Sequence, residues 1–162
     1  RILPPMTQAA HSPAAGGEGP PERYAHRLEV RYGETDQMGV VHHANYLLYL
    51  EEARTAYMRA LGLPYGDVER SGVGLPVRSV ELRYRRPAFY EDRLRVDVWI
   101  ERWRAASVTF GYEVLREPAE PDGGEAILLS SATVELACMD LATRSARAFP
   151  PELVDALGLA RR

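Results

Sequence analysis

A carboxylate just ahead of a predicted helix is the feature of this chain best suited to chemistry. Asp36 precedes by a few residues a helix that the pattern predicts to begin at His43. A helix N-terminus presents unpaired N–H groups and about half a positive charge, so it would polarise a carbonyl oxygen docked there. The carboxylate could attack that carbonyl or activate water, and Gly39 would allow close backbone approach. These are the parts of an acyl-transfer or hydrolysis site, although a turn or capping role explains Asp36 as well.

Composition and motifs exclude several other chemistries. All 20 basic side chains are arginine, so Schiff-base lysine chemistry is excluded. The formal net charge of −3 disfavours non-specific nucleic-acid binding. No serine lies in a Gly-x-Ser-x-Gly motif, and four histidines with one cysteine offer no zinc-binding spacing, so no metal is expected. No apolar run approaches the ~18 residues of a membrane span. The single cysteine, Cys138, fits a reducing cytoplasm.

Hydrophobic periodicity predicts one α+β domain. Residues 1–22 are rich in Pro, Gly and Ala and are predicted to be a flexible arm, followed by a domain over 23–158 and a tail over 159–162. A long helix is predicted over 43–61, with its first two turns apolar nearly all round and therefore enclosed. The other predictions are strands near 28–32, 80–84, 94–100, 108–114 and 126–139, a linker over 63–75, a brief strand at 147–149 and a closing helix over 151–157.

The segment 32–46 resembles the signature of the hotdog-fold acyl-CoA thioesterases, in the 4-hydroxybenzoyl-CoA thioesterase family. That signature runs Tyr-x-x-Thr-Asp-x-x-Gly-Val-Val-x-His-x-x-Tyr and continues in the helix as Glu-x-Ala-Arg. The matching residues are Tyr32, Thr35, Asp36, Gly39, Val40, Val41, His43, Tyr46 and the run 51–54. The resemblance extends over about residues 24–157.

The resemblance implies a curved five-stranded antiparallel sheet wrapped around one long central helix. It implies hydrolysis of an acyl-CoA without a cofactor, in a homodimer or a dimer-of-dimers homotetramer whose active sites lie at the dimer interface. Asp36 falls on the catalytic carboxylate, and His43 falls where a backbone N–H faces the thioester oxygen. Tyr32 either flanks the site or belongs to the core.

Other residues of the signature are expected to contact substrate. Gly39 and Val41 belong to the substrate-binding segment. Glu51 has two interpretations. A second branch of hotdog thioesterases carries its carboxylate on the helix, which makes Glu51 the alternative to Asp36. Otherwise, Glu51 pairs with an arginine inside the dimer.

Arginine is the expected source of positive charge at the CoA phosphates. The best-known 4-hydroxybenzoyl enzymes carry a basic run after a tryptophan, where this chain keeps only Arg104, with Arg102 before Trp103. Arg83, Arg85 and Arg86 are further candidates.

Two other functions remain open. One is a non-catalytic acyl-CoA-binding or sensing module that uses the same pocket. The other is a hotdog hydratase acting on an enoyl thioester, although its usual Asp/His dyad is not evident. The role of Asn45, the only asparagine, is also open between the site and the helix start.

Overall fold

A long helix packed on a five-stranded antiparallel sheet makes up most of the structure. The computed structural model describes residues 23–119 and 123–159; the predicted arm over 1–22 and the tail residues 160–162 lie outside them. The strands are β1 (Tyr24–Glu29), β2 (Val73–Gly74), β3 (Val77–Tyr84), β4 (Arg93–Arg104), β5 (Ser107–Arg116), β6 (Ile127–Ala137) and β7 (Met139–Asp140), and the helices are α1 (Asn45–Ala60), α2 (Tyr65–Arg70) and α3 (Pro151–Ala156).

The large sheet has the order β1-β4-β5-β6-β3, with every neighbouring pair antiparallel. Alternate residues of each strand point to opposite faces, and the face toward α1 carries the core residues of β4, β5 and β6. β3 is an edge strand. The predicted α+β class and the five-stranded antiparallel sheet are confirmed.

α1 lies on the inner face of the sheet through residues spaced three and four apart. Tyr46, Tyr49, Leu50, Ala53 and Tyr57 are all nearly inaccessible to solvent, which is the burial pattern of one helix face. The Tyr57 ring stacks on β1 and meets β5 edge-on. Aromatic and aliphatic burial of this kind holds the helix against the sheet.

The helix bounds differ from the prediction at both ends. The helix runs over Asn45–Ala60, so His43 precedes it, and Ala44 is its N-cap residue. Gly62 has φ +76°, a conformation that glycine adopts without strain, and it follows the helix end as predicted. The correction matters because His43 belongs to the loop that enters the helix.

The predicted enclosure of the first two turns of α1 is wrong for the single chain. Leu47 is 44% exposed and Leu48 is 58% exposed. The exposed apolar surface continues on β3, where Val77, Val80 and Tyr84 each expose more than two fifths of their area. Both elements therefore leave apolar side chains uncovered in one chain.

The regions around the large sheet also differ from prediction. The predicted linker over 63–75 contains α2 and the short strand β2, which pairs with β7. The predicted strand at 147–149 is replaced by an isolated bridge between Met139 and Ala146. The closing helix α3 is confirmed, and Leu159, one residue past the predicted end of the domain, is fully buried in the core.

Among the residues that the structure describes, no helix combines the length and the apolar character that crossing a membrane requires.

Candidate active site

The segment that carries Asp36 is a closed loop. Thr35 and Val41 form an antiparallel bridge across it. Inside the bridge, the N–H of Asp36 donates to the oxygen of Val40 at 2.9 Å, and the N–H of Gly39 donates to the oxygen of Asp36 at 2.9 Å. Gly39 has φ +77°, a left-handed conformation that a side chain would strain. The loop therefore holds the Asp36 backbone from both sides.

The Asp36 carboxylate is half-buried, and one of its oxygens has a structural partner. Oδ1 accepts a hydrogen bond from the N–H of Met38 at 2.8 Å, the pattern of an Asx turn. Oδ2 accepts no hydrogen bond from the part of the chain that the structure describes. The turn role considered from sequence is therefore present, and it leaves the second oxygen for chemistry.

His43 lies between this loop and α1. Its carbonyl oxygen accepts a hydrogen bond from the hydroxyl of Tyr84 at 2.9 Å. Within residues 23–119 and 123–159, no acceptor binds its N–H. The preceding His42 serves the helix start, because its Nδ1 accepts from the N–H of Ala44 at 3.3 Å and its carbonyl oxygen accepts from the N–H of Asn45 at 2.9 Å. The N–H of His43 is thus available to a ligand.

Glu34 connects the loop to α1, and sequence reasoning missed it. Its carbonyl oxygen accepts from the side-chain amide of Asn45 at 2.7 Å and from the N–H of His42 at 2.8 Å. Its carboxylate accepts from the hydroxyl of Tyr49 at 2.7 Å and from the N–H of Arg31 at 2.8 Å. The role of Asn45 was open between the site and the helix start, and its side chain is now seen to bind the loop that carries Asp36.

Tyr49 stays a hydrogen-bond donor at ordinary pH. Burial, followed by the hydrogen bond and the charge of Glu34, raises the pKa of its hydroxyl far above the ordinary value for tyrosine. The only available sequence signal was the spacing of Asn45 and Tyr49, which are one turn apart on the same helix face. That spacing does not say which loop residue they would meet.

Tyr32 does not belong to the core. It is 79% exposed and begins a single 3-10 turn after the end of β1. Its ring meets Tyr90 edge-on, with 5.5 Å between ring centroids. Both tyrosines line an open cleft of about 490 Å3 that also reaches Glu34 and Tyr49. Of the two alternatives for Tyr32, the structure therefore supports a place beside the loop and not one in the core.

Val41 and Gly39 lie in different environments. Val41 is buried, and its N–H donates to the oxygen of Ala88 at 2.8 Å. The hydroxyl of Tyr46 accepts from the N–H of Ala88 at 3.2 Å, so this part of the loop is fixed to the core. Gly39 is exposed at the tip. Of Val41 and Gly39, both predicted to bind substrate, only Gly39 is open to solvent in one chain.

The part of the motif that lies in α1 contains one buried residue, Arg54, and one exposed residue, Glu51. Arg54 is buried, and its guanidinium donates to the hydroxyls of Tyr65 at 2.9 Å and Tyr112 at 3.3 Å. Burial raises the pKa of Tyr112 to about 12, which keeps that hydroxyl neutral. Glu51 is exposed and forms no ion pair with another described residue.

Arg102 and Arg104 lie far from Asp36 in the same chain. The loop meets the sheet where the N–H of Val30 donates to the oxygen of Asp92, beside the first residue of β4. β4 has 12 residues, and at about 3.3 Å per residue its ends are roughly 36 Å apart. A register shift after Ile100 pairs Arg102 with Thr109 and Arg104 with Ser107, on the outer face of the sheet.

Arg85 and Arg86 lie at the Asp36 end of the sheet. Their N–H groups donate to the oxygen of Leu129 at 2.8 and 3.1 Å, directly after Tyr84, which binds His43. Their side chains are exposed and form no ion pair within the described residues, whereas Arg83 pairs with Glu81.

The chain was compared with known proteins. Residues 30–157 match the family model of the thioesterase-like superfamily. The chain is 42% identical to the putative acyl-CoA thioesterase YneP of Bacillus subtilis (strain 168) over 57% of this chain and 67% of that protein. It is 32% identical to the acyl-CoA thioesterase YbgC of Haemophilus influenzae over 78% of this chain and 88% of that protein.

The fold also resembles that of a solved thioesterase structure. The solved structure of the DHNA-CoA thioesterase from Staphylococcus aureus matches with a TM-score of 0.76 and 29% identity, over 86% of this chain and 91% of that one. These similarities confirm the hotdog fold expected from the loop motif. The chain therefore belongs to the thioesterase-like superfamily.

Proposed function

We propose that this chain hydrolyses acyl-CoA thioesters to a carboxylate and free CoA, with Asp36 and the backbone N–H of His43 as its reacting groups. One observation carries the proposal: Asp36, inside the closed loop, has an unshared carboxylate oxygen, and His43, between that loop and α1, has an N–H that no described acceptor binds. The acyl-CoA thioesterases of Bacillus subtilis and Haemophilus influenzae support the thioester as substrate.

The two groups have complementary tasks in this reaction. The N–H of His43 would donate to the thioester oxygen as negative charge develops on it, aided by the positive end of α1. Asp36 would either attack the carbonyl carbon or take a proton from the attacking water. With Asp36 as base, the oxygen of water bonds to the carbonyl carbon, the C–S bond breaks, and the CoA thiolate gains the proton that Asp36 took. With Asp36 as nucleophile, the C–S bond breaks to leave an anhydride between Asp36 and the acyl group. Water then cleaves this anhydride, which releases the carboxylate, restores Asp36 and supplies the proton for the thiolate.

Replacing Asp36 by asparagine tests the proposal. Asparagine can still accept from the N–H of Met38, so the turn should fold. We expect kcat/KM to fall by about 100-fold or more, the usual contribution of a positioned base or nucleophile. Asp155→Asn on the exposed surface of α3 is the matched control and should leave the rate unchanged. Asp36→Asn with wild-type activity on every acyl-CoA tried would overturn the role of Asp36.

The same assay separates the other open questions. Tight acyl-CoA binding by the wild type without turnover would favour the binding or sensing module. Single-turnover hydrolysis in 18O-labelled water tests nucleophile against general base. A general base places 18O in the product carboxylate, whereas an anhydride cleaved at the Asp36 carbonyl places 18O in Asp36 and an oxygen of Asp36 in the product. The acyl panel should include short, long, branched and aromatic acyl groups, with DHNA-CoA among them in view of the Staphylococcus aureus structure.

The proposed enzyme works as a homodimer or as a dimer of such dimers. β3 pairs with β6 on one side only, and its inner face exposes Val80 and Tyr84. The Tyr84 ring contacts Tyr46 of α1, the helix that also exposes Leu47 and Leu48. An edge strand with exposed apolar side chains is a template for pairing with another chain. Pairing there would cover this surface and bring a second subunit next to the loop of Asp36.

The arginines proposed to bind the CoA phosphates are chosen by their position relative to Asp36. Arg85 and Arg86 lie at the Asp36 end and have free guanidinium groups among the described residues. Arg102 and Arg104 would contribute only to a site completed by another subunit. A cytoplasmic location is proposed because Cys138 is buried as a free thiol.

A further inference from the structure

Glu34 is bound by two side chains from the same face of α1. Asn45 donates to its carbonyl oxygen and Tyr49 donates to its carboxylate, each at 2.7 Å. Residues four apart lie on the same face of a helix in successive turns, so both donors can reach the same residue. Asp36 is also held by its main chain and its side chain, but its partners belong to the loop itself, whereas the two donors to Glu34 belong to α1.

These bonds are partly shielded from water. Tyr49 is 2% exposed, the Glu34 side chain is 16% exposed, and Asn45 is half-buried. Hydrogen bonds to a charged acceptor in such surroundings are stronger than exposed neutral ones. The connection between the loop and α1 is therefore a stiff one.

The connection determines where the two proposed reacting groups lie. Glu34 is two residues before Asp36, and its carbonyl oxygen also accepts from the N–H of His42, the residue before His43. One carbonyl group thus joins the outgoing and returning halves of the loop to the helix. A shift of Glu34 would move the Asp36 carboxylate relative to the His43 N–H.

We infer that Glu34, Asn45 and Tyr49 form a positioning clamp that fixes the Asp36 carboxylate against the backbone N–H of His43. None of the three is assigned a contact with substrate; they act through the loop. The inference rests on the proposed function, because the geometry it protects is the one that thioester hydrolysis needs. A misplacement of about 1 Å in such a geometry can cost about 100-fold in rate.

Asn45→Asp separates a clamp from a helix-start role. Aspartate in the first turn favours the positive end of the helix and should offset part of the stability lost with the hydrogen bond to Glu34, so the melting temperature should exceed that of Asn45→Ala. It cannot donate to the Glu34 carbonyl, so kcat should fall by about 10-fold or more while KM changes by less than about twofold. Asn45→Ala, which adds no charge, should lower kcat similarly. Wild-type kcat in Asn45→Ala would overturn the clamp, and a loss confined to Asn45→Asp would assign the effect to charge.

Tyr49→Phe tests the other half of the clamp with a matched control. The variant removes one hydroxyl from a buried ring, as does Tyr112→Phe, whose hydroxyl binds Arg54 away from the loop. We expect a fall in kcat for Tyr49→Phe that Tyr112→Phe does not show. Glu34→Gln, which can still accept from Tyr49, should keep most of the activity that Glu34→Ala loses. Equal losses in Tyr49→Phe and Tyr112→Phe would contradict the inference.

Hydrogen exchange separates this inference from the proposed function. The amides of 35–43 should exchange faster in Asn45→Ala and Tyr49→Phe than in the wild type, and not in Tyr112→Phe. This readout does not depend on turnover. Unchanged exchange in both clamp variants would overturn the clamp even if the enzyme is active. If the variants exchange faster as expected but the wild type shows no turnover, only the proposed function is overturned.

Discussion

The hydroxyl of Tyr84 donates to the carbonyl oxygen of His43 at 2.9 Å, across 41 positions of sequence. This bond joins the end of the edge strand β3 to the residue just before α1. The Tyr84 ring also meets Tyr46 edge-on, with centroids 5.2 Å apart. The loop that holds Asp36 is therefore fixed to the sheet as well as to the helix.

Tyr84→Phe should weaken this attachment while keeping the ring contact. We expect a loss of about 1 kcal/mol in the free energy of unfolding, the usual value of one hydrogen bond. We also expect a fall in kcat of up to about 10-fold, because the His43 backbone gains freedom. Urea denaturation and steady-state kinetics measure the two effects. Unchanged kcat together with reduced stability would show that the bond supports the fold only.

Arg85 and Arg86 should be the arginines that matter for CoA affinity. Replacing both by alanine removes two free cations near the loop, and KM for acyl-CoA should rise by about 10-fold, equivalent to about 1.4 kcal/mol. The double variant of Arg102 and Arg104 is the matched control. A larger rise of KM in the control would place the phosphates at the far end of β4 and indicate a site shared between subunits.

Val80→Glu should disrupt the proposed dimer. Val80 is 42% exposed in the single chain, and its register with the buried Val134 places it on the inner face of the sheet. A charge there opposes burial in an apolar interface, since an unpaired buried carboxylate is costly. Analytical ultracentrifugation should show a shift toward monomer, with a parallel loss of activity. The exposed outer-face change Glu81→Gln on the same strand serves as control, and a fully dimeric Val80→Glu would exclude this surface.

Gly111→Ala should destabilise the sheet. A methyl group at this position would overlap the ring of Trp99, which lies flat over the glycine and is covered by the Arg23 guanidinium at 4.0 Å. Overpacking of this kind costs about 1–3 kcal/mol. Thermal unfolding should show the loss, and a Trp99→Leu background should reduce it. Additive effects of the two changes would mean that the ring is not the cause.

Local patterns in the sequence determined much of this molecule. Strands β3, β4, β5 and β6 follow from alternating apolar residues, because successive side chains of a strand point to opposite faces. The helix follows from its own period, and the spaced residues from Tyr32 to Tyr46 were enough to indicate the superfamily that the comparisons show. These are features in which each residue reports on its near neighbours in the chain.

The tertiary structure alone decided which distant groups meet. Glu34 has no distinctive pattern, yet the packing of α1 on the loop makes it the acceptor of Asn45 and Tyr49. Leu48 and Val80 looked like core residues by hydrophobicity, but one chain leaves them uncovered. The bulge after Ile100 reverses which face the following residues occupy. Such outcomes depend on how whole elements pack and pair, and no local periodicity encodes the relative position of two elements.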